Sequence, residues 1–375
     1  MSSILEKILR FIQTVPMAEF DDGAFKQSAL ELFHYQFEKN AVYRGLCLQQ
    51  NLAPDLVADW REIPAVTTSA FKEVPLICFP ENEAIAVFHT SGTTQQRSGK
   101  HYFRTLDFYR AAMRRSFAEF CLTPFNKMCL FFLGPTAEYF PNSSLGCMFS
   151  ELRDEFGDER SASFFSPDGV EVPALQNALE NAIRENAPVF IPGTALALLE
   201  CMEIFQRQNR KFQLPSGSRI LDTGGYKGRR VEITREDFQH RLRETFGVPR
   251  EYLLNEYGMT ELSSQFYARS LPDATWREER IERAPSAQRF SPFALHFMPP
   301  WVRVAAVDPE TLAVLPNGAI GLLRIFDLAN VDSVMAIQTE DLGRAWQDRL
   351  ELIGRASGAE LRGCSLLTEA IVRGD

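Results

Sequence analysis

The sequence lacks the ligand patterns of a zinc site: it has no C-x-x-C pair, no cysteine–histidine cluster, and no H-x-x-x-H spacing among its five histidines. Its seven cysteines, Cys47, Cys78, Cys121, Cys129, Cys147, Cys201 and Cys364, are odd in number and scattered. That distribution fits free thiols in a reducing cytosol better than a disulfide framework. No run of about 18 apolar residues occurs, so no hydrophobic membrane span is expected. The opening MSSILEKILRFIQTVPMAEF is amphipathic, but Glu6, Lys7 and Arg10 interrupt the apolar stretch that a signal peptide needs. Positive charge is also in short supply. Forty Lys and Arg stand against 49 Asp and Glu, a net charge of −9 that repels a nucleic-acid backbone yet leaves room for a local nucleotide site. A cytoplasmic protein with no nucleic-acid partner is expected. No internal repeat or low-complexity linker is present.

With 375 residues, 45% hydrophobic and 24% charged, the chain can bury a large core. Short apolar runs alternate with helical patterns. Ile85 to Phe88, Cys129 to Leu133, Val189 to Ile191, Ile220–Leu221 and Leu253–Leu254 read as strands. Asp107 to Phe120 reads as a helix with Tyr109, Ala112, Met113, Phe117 and Phe120 on one face. Thr194 is placed to cap a helix reaching about Gln208, and Thr234 with Asp237 to start another that Gly247 stops. Repeated strand–helix alternation predicts an α/β fold with a largely parallel sheet. From Trp301 the texture turns β-rich, with Pro316-Asn317-Gly318 as a hairpin signal.

The glycine-rich loops after Phe88, Leu221 and Leu254 lie at expected carboxyl ends of strands, and such ends are where parallel sheets bind ligands. In FHTSGTTQQRSGKH, residues 88–101, the hydroxyls and glycine of Ser91, Gly92, Thr93 and Thr94 precede Arg97, Gly99 and Lys100, a set suited to phosphate. It is not a Walker A loop: six residues separate Gly92 from Gly99 instead of four, and His101 follows the lysine. In Asn255-Glu256-Tyr257-Gly258-Met259-Thr260-Glu261, an aromatic face, an exposed backbone, a hydroxyl and a carboxylate can stack a base, bond a phosphate and ligate Mg²⁺. Gln338-Thr339-Glu340-Asp341-Leu342-Gly343 sets a carboxylate for ribose hydroxyls, and Gly354-Arg355 follows. Each piece alone also reads as a strand-end turn with solvated acids.

Taken in order, SGTT (91–94), TGGYKG (223–228), EYGMTE (256–261), EDLG (340–343) and GR (354–355) resemble the adenylate-forming superfamily. The segments FPNSSLGCM, RILDTGGYKG, NEYGMTELSSQFY and GAELRGCSL look most like its acyl-protein synthetases of the LuxE type, over roughly residues 63–366. The resemblance implies an adenylate-forming N-terminal-domain-like fold, with an adenylation domain over 1–340 that includes a β-rich part from about 301 to 340. A short segment, 341–375, would carry the acyl-accepting cysteine in place of a full C-terminal domain. It further implies ATP and Mg²⁺. Ser91, Gly92, Thr93 and Thr94 would hold phosphates, Gly224, Gly225 and Tyr226 would line the adenine, and Tyr257, beside Gly258, would lie against the base. Thr260 would touch the α-phosphate, Glu261 would ligate the metal, Asp341 would take the ribose, and Arg355 would mark the hinge. Cys364 would accept the acyl group.

Two departures stand out. Gln95 replaces the glycine that usually follows SGTT, and the lysine borne by the C-terminal domain of coenzyme A ligases has no counterpart. Lys100, Lys227 and Lys72 are the candidates to neutralise the carboxylate, with Lys100 taken as the catalytic assignment. Arg362 and Gly363 beside Cys364 favour a reactive thiolate, whereas the other six cysteines read as small buried hydrophobes. Among 30 phenylalanines, Phe131, Phe132, Phe140 and Phe149 are either core or the walls of an acyl channel. The leading expectation is a long-chain fatty acid:protein ligase that forms acyl-AMP, then an acyl-Cys364 thioester for a partner acyl reductase subunit. The alternatives are a phenylacetate-type aryl- or acyl-CoA ligase and a non-catalytic nucleotide-binding scaffold in an acyl-processing complex.

Overall fold

The apolar runs around residues 130, 190, 220 and 253 become neighbouring strands because each is short, nearly free of polar residues, and followed by a helix with one apolar face. In a computed structural model, which describes residues 3–90, 98–224, 233–268 and 295–356, the spatial order is Ala162–Ser163, Cys129–Phe132, Val189–Thr194, Arg219–Thr223 and Leu253–Tyr257, all parallel. Helices Ser144–Phe156, Val172–Arg184, Ala195–Arg207 and Arg235–Phe246 intervene along the chain. Leu175, Leu179, Leu198, Met202, Phe205, Leu242 and Phe246 meet Ile191, Ile220 and Leu253 in one buried cluster. These elements belong to one compact unit, Ser116–Gly258 with Tyr267–Phe293; a second comprises Met1–Arg115, Met259–Phe266 and Ala294–Asp375.

Local chemistry explains where the helices begin and end. The Thr194 hydroxyl accepts from the Ala197 amide at 3.2 Å, and the Thr234 hydroxyl accepts from the Asp237 amide at 3.1 Å. Gly247 closes the helix Arg235–Phe246 in the left-handed region, φ 67°. The expected helix from Asp107 is regular to Phe117 and continues through Ala118–Leu122 as a wider π turn, with Phe120, Cys121 and Leu122 buried. Tyr109, Ala112, Met113 and Phe117 are all buried, as the spacing predicts.

The other unit is built on antiparallel strands. Val302–Val307 pairs with Gly321–Asp327, which pairs with Ala336–Ala345; Arg349–Arg355 and then Leu295–Phe297 follow, and Val66–Thr67 adds in parallel to Ala336–Ala345. The turn at Pro316–Ala319 forms, with Gly318 at φ 81°. It lies within the longer connection between Val307 and Gly321 instead of closing the strand pair directly. The strand Ala336–Ala345 runs through residues 340 and 341 without interruption. Trp60 joins the core edge-on to Phe25 and Phe326. Ala86–His89 and Lys100–Phe103 form a separate antiparallel hairpin. Among the described residues no helix is long and apolar enough to cross a membrane.

Gly247→Ala should destabilise this fold by about 1–2 kcal/mol, because an L-residue is strained at positive φ. The added Cβ would also sit 2.6 Å from Gln213 Oε1 and 2.9 Å from the Phe212 carbonyl oxygen. Urea unfolding of the variant measures the loss, and unchanged stability would contradict the cap's role.

Candidate functional site

Glu261 is a carboxylate taken out of water by the packing of its own turn, with 6% of its surface exposed. Burial pushes its pKa up to about 7. Its backbone amide and the cations Lys72 and Arg355 oppose that shift, while Asp341 reinforces it. Asp341 lies opposite Arg355 on paired strands, and Arg355 Nη2 donates to Glu340 Oε2 at 2.8 Å. Lys72 is half-buried on the short helix Ala70–Glu73. One unit therefore gathers two acids and two bases around the Thr260–Glu261 turn.

The turn itself is held by side chains from distant parts of the chain. His101 Nδ1 lies 2.8 Å from the Thr260 carbonyl oxygen, and Asn330 Nδ2 donates to the Glu261 carbonyl oxygen at 2.8 Å. Asp327 accepts from the Ser263 amide at 3.1 Å, the Ser264 amide at 2.8 Å, the Ser264 hydroxyl at 2.8 Å and the Ala329 amide at 2.9 Å. Burial raises Asp327 to about 6 against the pull of these donors. The Trp301 indole N–H donates to the Ser264 hydroxyl at 3.0 Å. His101 is buried among aromatic rings, 4.2 Å from the Phe103 ring and 5.7 Å from that of Phe71. Burial lowers its pKa to about 4, against the raising effect of the Thr260 carbonyl, so the imidazole is neutral at ordinary pH.

In the other unit, acids line adjacent strand ends. Asn255 sits opposite Asp222, and Glu256 opposite Thr223. Asn255 Nδ2 donates to the Asp222 carboxylate at 2.7 Å and to its carbonyl at 3.0 Å, while the Thr223 hydroxyl donates to Glu256. Burial raises the pKa of Asp222, opposed by Arg235 and Asn255. Glu256 is pushed up to about 7 by burial, with Thr223 opposing and the Asp222 charge adding. Gly224 follows the strand with φ 79°, a backbone that favours glycine, and among the described residues no atom beyond its chain neighbours lies within 4 Å of where its Cβ would stand.

The residues expected from the sequence divide accordingly. Thr260, Glu261, Asp341, Arg355 and Lys72 share a unit, and Gly224, Tyr257 and Gly258 belong to the other. Tyr257 is half-buried as the last residue of its strand, and Gly258 is exposed. Lys100 is exposed at the start of the strand Lys100–Phe103, opposite His89. Ser91, Gly92, Thr93, Thr94, Gly225, Tyr226, Lys227 and Cys364 lie outside the described residues. The other six cysteines are buried free thiols; burial raises Cys47, Cys129 and Cys201 to about 12 and Cys78 further. Phe131, Phe132 and Phe149 are core residues, with Phe131 edge-on to Phe164 and Phe132 against Phe149; Phe140 is half-buried. Sequence reasoning missed His101, Asn330, Asp327, Asp222 and Glu256. Three of these, His101, Asp222 and Glu256, stand inside quoted motifs, but their burial carries no local signal.

The donor set bears on what cation could sit here. Among the described residues no three His, Cys, Asp or Glu side chains gather as a metal site. A single buried carboxylate such as Glu261 fits Mg²⁺ arriving with nucleotide phosphates, since that ion takes one or two carboxylates and fills its remaining positions from phosphates and water.

Glu256→Gln tests the electrostatics of the parallel-sheet unit. Between the ordinary glutamate value of 4.5 and about 7, the native state keeps a proton that the unfolded chain has lost. Glu256 therefore costs the wild type stability as pH rises through that window, a loss that the glutamine variant is spared. The variant's stability relative to wild type should rise by about 3 kcal/mol between the two ends. Urea unfolding at both ends measures it, and a constant difference would contradict the burial of Glu256.

The acyl-protein synthetase, LuxE, family matches residues 15–372. The long-chain-fatty-acid–luciferin-component ligase of Aliivibrio fischeri is 23% identical over 362 residues, covering 92% of this chain and 87% of that one. The ligase of the same name from Vibrio harveyi is 24% identical over 348 residues, covering 89% and 84%. Among solved structures, 2-hydroxyisobutyryl-CoA ligase in complex with 2-HIB-AMP and CoA superposes with a TM-score of 0.63 at 15% identity, over 93% of this chain and 71% of that one. ATP-bound MatB from Rhodopseudomonas palustris gives 0.50 at 17% identity over 74% of this chain, which spans about half, 49%, of that protein. The fold is that of the adenylate-forming ligases, and the chain belongs to the acyl-protein synthetase, LuxE, family of ligases.

Proposed function

We propose that this protein activates a long-chain fatty acid with ATP to an acyl-adenylate and then transfers the acyl group to its own Cys364 for delivery to an acyl reductase subunit. The observation that carries the reading is the buried Glu261 carboxylate at the end of the EYGMTE turn, with Lys72, Arg355 and Asp341 in electrostatic reach. The names of the two bacterial relatives support the substrate class. The ATP-bound and acyl-AMP-bound structures support the nucleotide.

A carboxylate is a poor electrophile because its charge repels an attacking nucleophile. In the first half-reaction a carboxylate oxygen of the fatty acid attacks the α-phosphorus of ATP, a mixed anhydride forms, and pyrophosphate leaves. The chain's task is to hold and neutralise. Ser91, Gly92, Thr93 and Thr94 are assigned to the phosphates, Thr260 to the α-phosphate, Gly224, Gly225 and Tyr226 to the adenine, Tyr257 with Gly258 to the base, and Asp341 to the ribose. Mg²⁺ held by Glu261 would offset phosphate charge. Lys72 is a stronger candidate than Lys100 for the cation near the reacting carboxylate, because its charge is felt at Glu261; Arg355 keeps its assignment at the hinge. Correct placement of the reactants is worth about 7–11 kcal/mol of the barrier.

In the second half-reaction the Cys364 thiolate attacks the acyl carbon, the anhydride C–O bond breaks, and AMP leaves with that oxygen. The product is a thioester, which stays reactive toward a further acceptor. Arg362 supports the thiolate form.

Intact-protein mass spectrometry after incubation with ATP, Mg²⁺ and a C14 fatty acid tests the reading. Wild type should gain one hydroxylamine-labile acyl group, and Cys364→Ser should gain none while still forming acyl-AMP and releasing pyrophosphate. AMP release without an adduct on wild type would point to an external acceptor such as coenzyme A.

A further inference from the structure

Glu261 is useful only if its side chain leaves the backbone in one direction, and two hydrogen bonds flank the backbone that sets that direction. The Thr260 carbonyl belongs to the peptide plane before the Glu261 Cα, and the Glu261 carbonyl to the plane after it. His101 holds the first at 2.8 Å and Asn330 the second at 2.8 Å. With both planes pinned, φ and ψ of Glu261 are set, and so is the direction of its Cα–Cβ bond. Neither partner is free to drift. His101 is 2% exposed and wedged against Phe103 and Phe71. Asn330 is 1% exposed, its Nδ2 also reaches the Val334 carbonyl at 3.3 Å, and its own carbonyl accepts from Gln36 Nε2 at 2.7 Å.

We propose that His101 and Asn330 are positioning residues that aim the Glu261 carboxylate by clamping the two peptide planes on either side of it. This rests on the activation chemistry proposed above. A carbonyl oxygen only accepts, so Nδ1 of His101 carries the proton and the ring serves as a fixed donor. Neither residue touches substrate. Both act through Glu261 and Thr260, and a purely structural role would require only that the space be filled.

The substitutions separate donor from filler. His101→Asn keeps an amide N–H near the Nδ1 position, whereas His101→Leu fills the pocket without one. Asn330→Leu keeps a similar shape and removes the donor without adding a charge. In fatty-acid-dependent ATP–pyrophosphate exchange, His101→Leu and Asn330→Leu should each lower kcat about tenfold or more with KM for the fatty acid unchanged, and His101→Asn should recover most of the loss. Calorimetry with a non-hydrolysable ATP analogue reads the aim directly. Mg²⁺ should tighten binding to wild type and His101→Asn, and should lose that effect in His101→Leu and Asn330→Leu while metal-free affinity stays the same. Wild-type kcat and Mg²⁺ dependence in a folded His101→Leu or Asn330→Leu would overturn the proposal, as would a His101→Asn as poor as His101→Leu. If His101→Leu does not fold, Asn330→Leu decides. A wild type that neither binds the analogue nor exchanges would overturn the activation chemistry itself. The clamp is then judged on histidine ¹⁵N spectra, assigned by difference from His101→Asn. A neutral Nδ1-protonated ring supports it, and an Nε2-protonated ring overturns it.

Discussion

Backbone amides and carbonyls that leave water must find partners or cost a few kcal/mol each, and the turn from Met259 to Ser264 is the place where that constraint shapes this ligase. Glu261 to Ser264 are all buried. Asp327, at the end of the strand Gly321–Asp327, accepts from the Ser263 and Ser264 amides, Asn330 just beyond it donates to the Glu261 carbonyl, and His101 from the hairpin meets the carbonyl of the preceding Thr260. The same segment binds back into the N-terminal helices through Gln36, which donates to the Asn330 carbonyl and accepts from the Met335 amide. Arg104 adds an ion pair to Asp332 at 3.2 Å. A short acidic turn is thereby supported by four regions of sequence. Rigid support of this kind is what a reactive carboxylate needs if it is to meet phosphate charge without reorganising.

The parallel-sheet unit solves a different problem with the same means. Its strands bring Asp222, Thr223, Asn255 and Glu256 to neighbouring carboxyl ends, where burial weakens the acidity of both carboxylates. Asn255 is consumed by Asp222, so its amide serves that carboxylate. Tyr257 and Gly258, just past the strand's buried residues, are the half-buried and exposed members of the motif. Leu253 to Glu256 are buried on both faces of the sheet, and Tyr257 is more accessible because it is the last residue of the strand.

Much of the scaffold was legible because its signals are local. The caps at Thr194 and Thr234, the stop at Gly247 and the apolar face of the helix from Asp107 depend on residues within a few positions of one another. So do the runs that became the strands at 129, 189, 219 and 253. The family motifs are local too, and they picked out Thr260, Glu261, Asp341 and Arg355, which the fold gathers in one unit. What stayed hidden is long-range. His101 meets a carbonyl 159 residues away, Asn330 one 69 residues away, and Asp327 amides more than sixty residues away. No spacing rule along the chain reports such pairs. His101 looked like the residue that spoils a Walker A loop, and Asp327 belonged to no motif at all. The standing of Lys72 was likewise unreadable, since nothing in the sequence says that the short helix Ala70–Glu73 brings a cation within reach of Glu261.

The central claim is that the carboxylate of the fatty acid attacks the α-phosphorus of ATP. Incubating the enzyme with fatty acid labelled with ¹⁸O in its carboxylate, then weighing the released nucleotide, tests this directly. The account predicts AMP carrying one ¹⁸O, left behind when the thiolate breaks the acyl C–O bond. Label in inorganic phosphate with release of ADP, or AMP without label, would contradict it.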